Sequence, residues 1–90
     1  YIAAKAGLEI LTRSLARDLA PEVRVNGISP GAILWPEGEL DAPTKDKILD
    51  SIPLKRKGNP QDISDCVLFL VNSASYISGQ IISVDGGKSI

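Results

Sequence analysis

The chain has 90 residues, with ten basic and eleven acidic side chains and a net charge of −1. That balance argues against a nucleic-acid or anionic-membrane partner, because both select a clustered positive surface. No apolar run approaches bilayer length, no basic leader with a cleavage pattern is visible, and a lone cysteine with no histidine excludes an internal disulfide and leaves metal ligation to carboxylates, which are not clustered in the sequence. The composition fits one small soluble α/β unit, expected in the cytoplasm.

Residues 1–20 are expected to form a helix. Ala and Leu dominate, and Pro21 lies just past the end. Ile2, Ala6, Leu8, Leu11, Leu15 and Leu19 supply an apolar stripe, and Glu9 and Arg13 are spaced for an i,i+4 ion pair. Tyr1 and Lys5 are one turn apart on this helix. Four residues advance a helix by about 400°, so the two side chains leave nearly the same face, about 6 Å apart along the axis. A phenol titrates near ~10, and an ammonium beside it favours the phenolate and lowers that value. Such a tyrosine is chemically suited to protonate a developing oxyanion or nitrogen. By itself Tyr-x-x-x-Lys is also an ordinary surface spacing.

The stretch "VRVNGIS" reads as a strand over 23–29, stopped by Pro30-Gly31. Residues 32–59 form a long connection rich in Pro and charge, with a short helix expected over 43–51. A connection of this length is more often functional than filler. "GNPQDISDCVLFLVN" carries the marks of a helix over 60–72: Asn59 to cap it, Pro60 at the first position and Asp62 at the third. Ile63, Cys66, Val67, Leu70 and Val71 give it a broad apolar face. "IISV" at 81–84 reads as a second strand, closed by Asp85-Gly86-Gly87. Two strands joined through a helix favour a parallel pair. Two strands do not make a stable sheet alone, so further strands are expected from elsewhere, and the 90 residues read as the C-terminal portion of something longer.

Together, Tyr1-x-x-x-Lys5, "VRVNGISPGAI" and "GNPQDISDCVLFLVNSASYISGQIISVDGG" resemble the short-chain dehydrogenase/reductase family, and the match runs over essentially the whole chain. The resemblance implies the C-terminal part of a single doubly wound, Rossmann-like parallel sheet with flanking helices. It implies an NADPH-dependent reductase, NADH being the alternative, with Tyr1 as proton donor and Lys5 holding the nicotinamide ribose and acidifying Tyr1. Backbone groups at Pro30, Gly31, Ala32 and Ile33 would flank the nicotinamide, and Gly31 was expected to let the backbone approach that flat ring. Many members place a Thr where this chain has Trp35. "PGAILWPEG" looks like the corresponding segment of bacterial pteridine reductases, with Leu34 and Trp35 then facing the substrate and residues 34–52 forming a lid. The alternatives are a reductase of another carbonyl, such as a 3-oxoacyl thioester or a sugar ketone, and a catalytically silent assembly subunit. The family usually assembles as homotetramers, here through helix 1–20 and through the last helix and strand.

Overall fold

The computed structural model describes residues 2–31, 33 and 41–89. Five elements follow in chain order: α1 (Ile2–Asp18), β1 (Gly27–Pro30), α2 (Ala42–Asp50), α3 (Pro60–Asn72) and β2 (Ile81–Val84). β1 and β2 form a parallel pair, with Gly27 opposite Ile81 and Pro30 opposite Val84. The architecture is α/β, a parallel sheet with flanking helices.

α1 stops at Asp18, two residues short of the expected end. A turn replaces the last helical residues, with the Val23 amide donating to the Leu19 carbonyl at 3.0 Å. Glu9 and Arg13 form the expected ion pair at 2.8 Å, an exposed contact worth a few tenths of a kcal/mol. The face of α1 that is buried differs from the expected leucine stripe. Thr12 and Ala16 are its buried residues. A Cβ added at Gly27 would lie 3.7 Å from Thr12 Oγ1, and one added at Gly79 would lie 3.5 Å from Ala16 Cβ. Small side chains let the helix come close to the sheet, and Thr12 satisfies its own hydroxyl by donating to the Leu8 carbonyl at 2.8 Å. Leu8 and Leu11, by contrast, stay exposed among the described residues.

The expected strand over 23–29 is shortened at its start, and the reason is local. Residues 77–80, which face Val25 and Asn26, make a turn with Gly79 at φ +78° and offer no regular ladder. Side chains replace the ladder there. Asn26 Nδ2 donates to the Ile77 carbonyl at 3.0 Å, and its Oδ1 accepts from the Gln80 amide at 3.0 Å. The Val25 amide donates to Ser78 Oγ at 3.1 Å, and the Gly79 amide to the Val25 carbonyl at 2.7 Å. Regular pairing begins one residue later, at Gly27.

α3 is secured at both ends. Asn59 Oδ1 accepts from the Asp62 amide at 3.1 Å, and Asp62 Oδ2 accepts from the Asn59 amide at 2.8 Å, a reciprocal cap. At the other end the Arg24 guanidinium donates to the carbonyls of Leu70 and Ala74, both at 2.9 Å. A cation there satisfies carbonyls left over by the helix and complements its dipole. Only Leu70 of the helix is buried. Ile63 and Cys66 are half-buried, and Val67 and Val71 of the expected face are exposed.

The Asn26 clamp gives a direct test. Asn26→Ala strands the Ile77 carbonyl and the Gln80 amide, so stability is expected to fall by about 1–3 kcal/mol. A urea titration reads this as a lower midpoint. Asn26→Asp keeps the acceptor for Gln80 but not the donor for Ile77, and is expected to fall between the two.

Candidate active site

The C-terminal end of β1 carries the corner Pro30-Gly31, and the first turns of α1 carry Lys5. Pro30 and Lys5 line one cleft of about 420 Å³, together with Ala4, Leu8, Ile28 and Ile81. The cleft walls are mostly aliphatic, with the Lys5 ammonium and the Glu9 carboxylate as their charged groups. Lys5 and Pro30 are therefore brought together. Tyr1, Ala32, Leu34 and Trp35 lie outside the described residues.

Ile33 points its side chain elsewhere. It lines a second cavity of about 550 Å³ with Ile52, Leu54, Arg56, Asp62 and Asp85. A Cβ at Gly58 would stand 2.5 Å from Ile33 Cδ1, so the absent side chain at Gly58 makes room for Ile33. The Ile33 side chain and Lys5 line separate cavities.

Gly31 has a structural reason within the chain itself. A Cβ there would fall 2.7 Å from Asp85 Cβ and 2.8 Å from Asp85 Cα. The close approach that demands glycine among the described residues is to the protein's own turn after β2. The Gly31 amide donates to the Val84 carbonyl at 3.0 Å, extending the pairing of the two strands into the corner. Asp85 in turn accepts from the amides of Gly87 at 3.0 Å and Ser89 at 3.2 Å, which folds the chain back on itself. In the sequence Asp85-Gly86-Gly87 reads as a plain strand-terminating turn. Two consecutive glycines directly after a strand were the available signal that something packs there.

The charged groups around the second cavity serve the chain itself. Arg56 meets Asp62 at 3.0 Å, and Lys55 Nζ donates to the Asp50 carbonyl at 2.7 Å. Two members of the basic run 55–57 are thus engaged locally, which fits a turn before a helix better than a docking site for an anion. Arg56, and then the Asn59 amide, hold the Asp62 carboxyl below the usual carboxylate range. Hydrogen bonding from Ser89 first, with the Gly87 amide adding, does the same for Asp85. Among the described residues no three metal-ligating side chains come together, and no helix is long and apolar enough to cross a membrane.

Residues 1–89 match a family model described as Enoyl-(Acyl carrier protein) reductase. A short-chain dehydrogenase from Leptospira borgpetersenii with bound NAD+ superimposes with a TM-score of 0.88 and 39% identity, covering 100% of this chain and 35% of that one. The chain belongs to the short-chain dehydrogenase/reductase family, whose fold is Rossmann-like. The 7alpha-hydroxysteroid dehydrogenase of Escherichia coli K12 is 43% identical over 97% of this chain and 36% of its own length. Dihydromonapterin reductase of Klebsiella pneumoniae is 41% identical over 100% of this chain and 37% of its own length. A 3-oxoacyl-acyl-carrier-protein reductase of Thermotoga maritima is 40% identical over 100% of this chain and 38% of its own length. The chain thus spans little over a third of the length of these relatives. Their identities are nearly equal: a pterin enzyme is one relative among steroid and thioester enzymes.

Two outcomes follow from the geometry. Gly31→Ala forces its new methyl into Asp85 and is expected to lower stability by about 1–3 kcal/mol, read as a fall in the urea midpoint. For Asp62 and Asp85 the folded-state pKa lies below the unfolded value of about 3.9. Their stabilising contribution is therefore complete above that pH and is lost as pH falls through the depressed folded values. Stability measured against pH is expected to drop below about pH 4, and Asp62→Asn to flatten part of that drop.

Proposed function

We propose that the protein is an NAD(P)-dependent oxidoreductase of the short-chain type, with NADPH the leading cofactor and NADH the alternative. The observation that carries this reading is the meeting of Lys5 and Pro30 on one cleft. An ammonium there suits ribose hydroxyls, and an aliphatic wall ending at a proline suits a flat ring. The residues fit a nicotinamide cofactor: Tyr1, Lys5, Pro30, Gly31, Ala32 and Ile33 would hold it, and when bound it supplies hydride.

In this reading Tyr1 donates a proton to the substrate atom that gains charge as hydride arrives. Lys5, one turn further along α1, keeps the phenol acidic enough to do so near neutral pH. The C=X bond of the substrate becomes CH–XH: carbon receives the hydride, and the heteroatom receives the phenolic proton.

For the substrate, the leading assignment is a pteridine or dihydrofolate-type ring held by Leu34 and Trp35. It is supported by the segment "PGAILWPEG" and by the 41% identity to dihydromonapterin reductase. A reductase of another carbonyl, a 3-oxoacyl thioester or a hydroxysteroid ketone, is supported equally by the identities of 40% and 43% to the enzymes of those names. The partners are a small-molecule substrate and further copies of the protein as a homotetramer through helix 1–20 and the last helix and strand. The exposed Leu11 on α1 and Leu68 and Phe69 on α3 support that assembly.

The test uses protein of the relatives' full length carrying this chain. NADPH consumption is expected with dihydrobiopterin or dihydrofolate. Turnover of a 3-oxoacyl thioester or an oxosteroid, with none of either pteridine, moves the assignment to the second reading. Tyr1→Phe is expected to cut kcat by about 100-fold or more while cofactor affinity stays within about twofold. A variant that keeps the wild-type rate overturns the proton-donor role.

A further inference from the structure

The turn after β2 contains residues with little intrinsic preference for one shape. Gly86 and Gly87 follow each other at φ +66° and +90°, a left-handed region that glycine enters and leaves freely. The Asp85 carboxylate pins this stretch. Its Oδ1 accepts from the Gly87 amide at 3.0 Å and its Oδ2 from the Ser89 amide at 3.2 Å, so one side chain closes the turn on itself. The far side of the turn is seated as well. A Cβ at Gly86 would stand 2.7 Å from Ile52 Cγ2, and Ile52, 2% exposed, is the largest fully buried side chain among the described residues. The Leu54 amide donates to the Gly86 carbonyl at 3.1 Å. Helix α2, just before Ile52, has no buried side chain of its own, so the seat is made by the residues that follow the helix.

The near side of the same turn bears on the corner after β1. A Cβ at Gly31 would fall 2.8 Å from Asp85 Cα and 2.7 Å from Asp85 Cβ, and the Gly31 amide donates to the Val84 carbonyl at 3.0 Å. The main chain of residue 31 thus rests directly on residue 85 with no side chain between them. A movement of Asp85 is passed to Gly31 with little slack. Pro30, one residue earlier, lines the cleft that Lys5 also lines. Asp85 lines the other cavity, with Ile33, and not this cleft. Whatever it does for the cleft, it does through Gly31.

We infer that Asp85 is a positioning residue: its carboxylate stiffens the Gly86-Gly87 turn into a backstop that fixes the Pro30-Gly31 corner relative to Lys5. The inference rests on the proposed cofactor site and deepens it. In that reading the ammonium of Lys5 takes ribose hydroxyls and the corner takes the flat ring, so the gap between them must match one end of the cofactor. A gap set before binding spares the cofactor the cost of ordering it. Removing the carboxylate leaves Lys5 and Pro30 in the chain but lets the gap between them vary. The loss therefore falls on cofactor affinity.

The experiment uses protein of the relatives' full length carrying this chain. It reads residue-resolved amide hydrogen exchange without cofactor, then the affinity for NADPH and NADH by fluorescence titration, both well below the unfolding transition of every variant. Asp85→Ala keeps the Cβ that touches Gly31 and removes both acceptors. It is expected to speed exchange of the Gly31 amide by about tenfold, with α1 and α3 unchanged, and to weaken cofactor binding by about fivefold or more. Asp85→Asn keeps one acceptor and is expected to fall between this variant and the wild type. It decides the matter if Asp85→Ala fails to fold. Asn59→Ala removes the cap of α3 and lowers the urea midpoint, yet is expected to leave Gly31 exchange and cofactor affinity within about twofold of the wild type. A Gly31 amide that exchanges at the wild-type rate in the folded Asp85 variants overturns the inference. So does acceleration shared equally by α1 and α3, or a loss of cofactor affinity in Asn59→Ala as large as in Asp85→Ala. Faster Gly31 exchange with cofactor affinity unchanged overturns the positioning role. Wild-type protein that binds neither nicotinamide overturns the proposed function, and Gly31 exchange alone then decides whether Asp85 holds the corner.

Discussion

The contact between Gly31 and Asp85 governs the geometry of this protein. At that point the end of one strand lies against the turn that ends the next, closer than any side chain on residue 31 would permit. The parallel pair is short, four residues on each strand, and a short ladder fixes register weakly by itself. Register is secured at its two ends instead. Asn26 closes the entry by binding both sides of the turn at 77–80, and Gly31 closes the exit on Asp85. With both ends fixed, Pro30 has a defined place, and α1 is brought up to it through Thr12 and Ala16.

Polar groups do most of the long-range joining. Arg24 links the approach to β1 with the carbonyl end of α3, 46 and 50 residues away in sequence. Asn26 reaches 51 and 54 residues ahead. These contacts lie at the margins of the sheet, where backbone groups lack ladder partners and an unpaired group is costly. The apolar contribution is narrower: Ala16, Ile52, Leu70 and Ala74 are the buried apolar residues among those described. Large aliphatic and aromatic side chains on α1 and α3 face outward, in keeping with a chain that spans little over a third of its relatives' length.

What could be read from the sequence was local. Asn59, Pro60 and Asp62 announce α3 because a helix start depends on residues within one turn of each other. The parallel relation of the strands was legible from their order and the helix between them. The start of β1 was not, because it is decided by a turn some fifty residues later. The leucine stripe on α1 misled for a similar reason: periodicity reveals that a face is apolar, but not which neighbour meets it, and among the described residues Thr12 faces Gly27 and Ala16 faces Gly79. Of the candidate site, Lys5 and Pro30 converge on one cleft, and the Ile33 side chain turns into another. Tyr1, Ala32, Leu34 and Trp35 fall outside the described residues. Ile52 went unnoticed because a single isoleucine between two polar stretches has no period to betray it.

The lack of any buried side chain in α2 has an evolutionary consequence. Most substitutions that matter to folding act through the core, so the exposed positions of residues 42–50 tolerate exchange at little thermodynamic risk. A scaffold with such a permissive segment can vary along it without rebuilding the strands beneath.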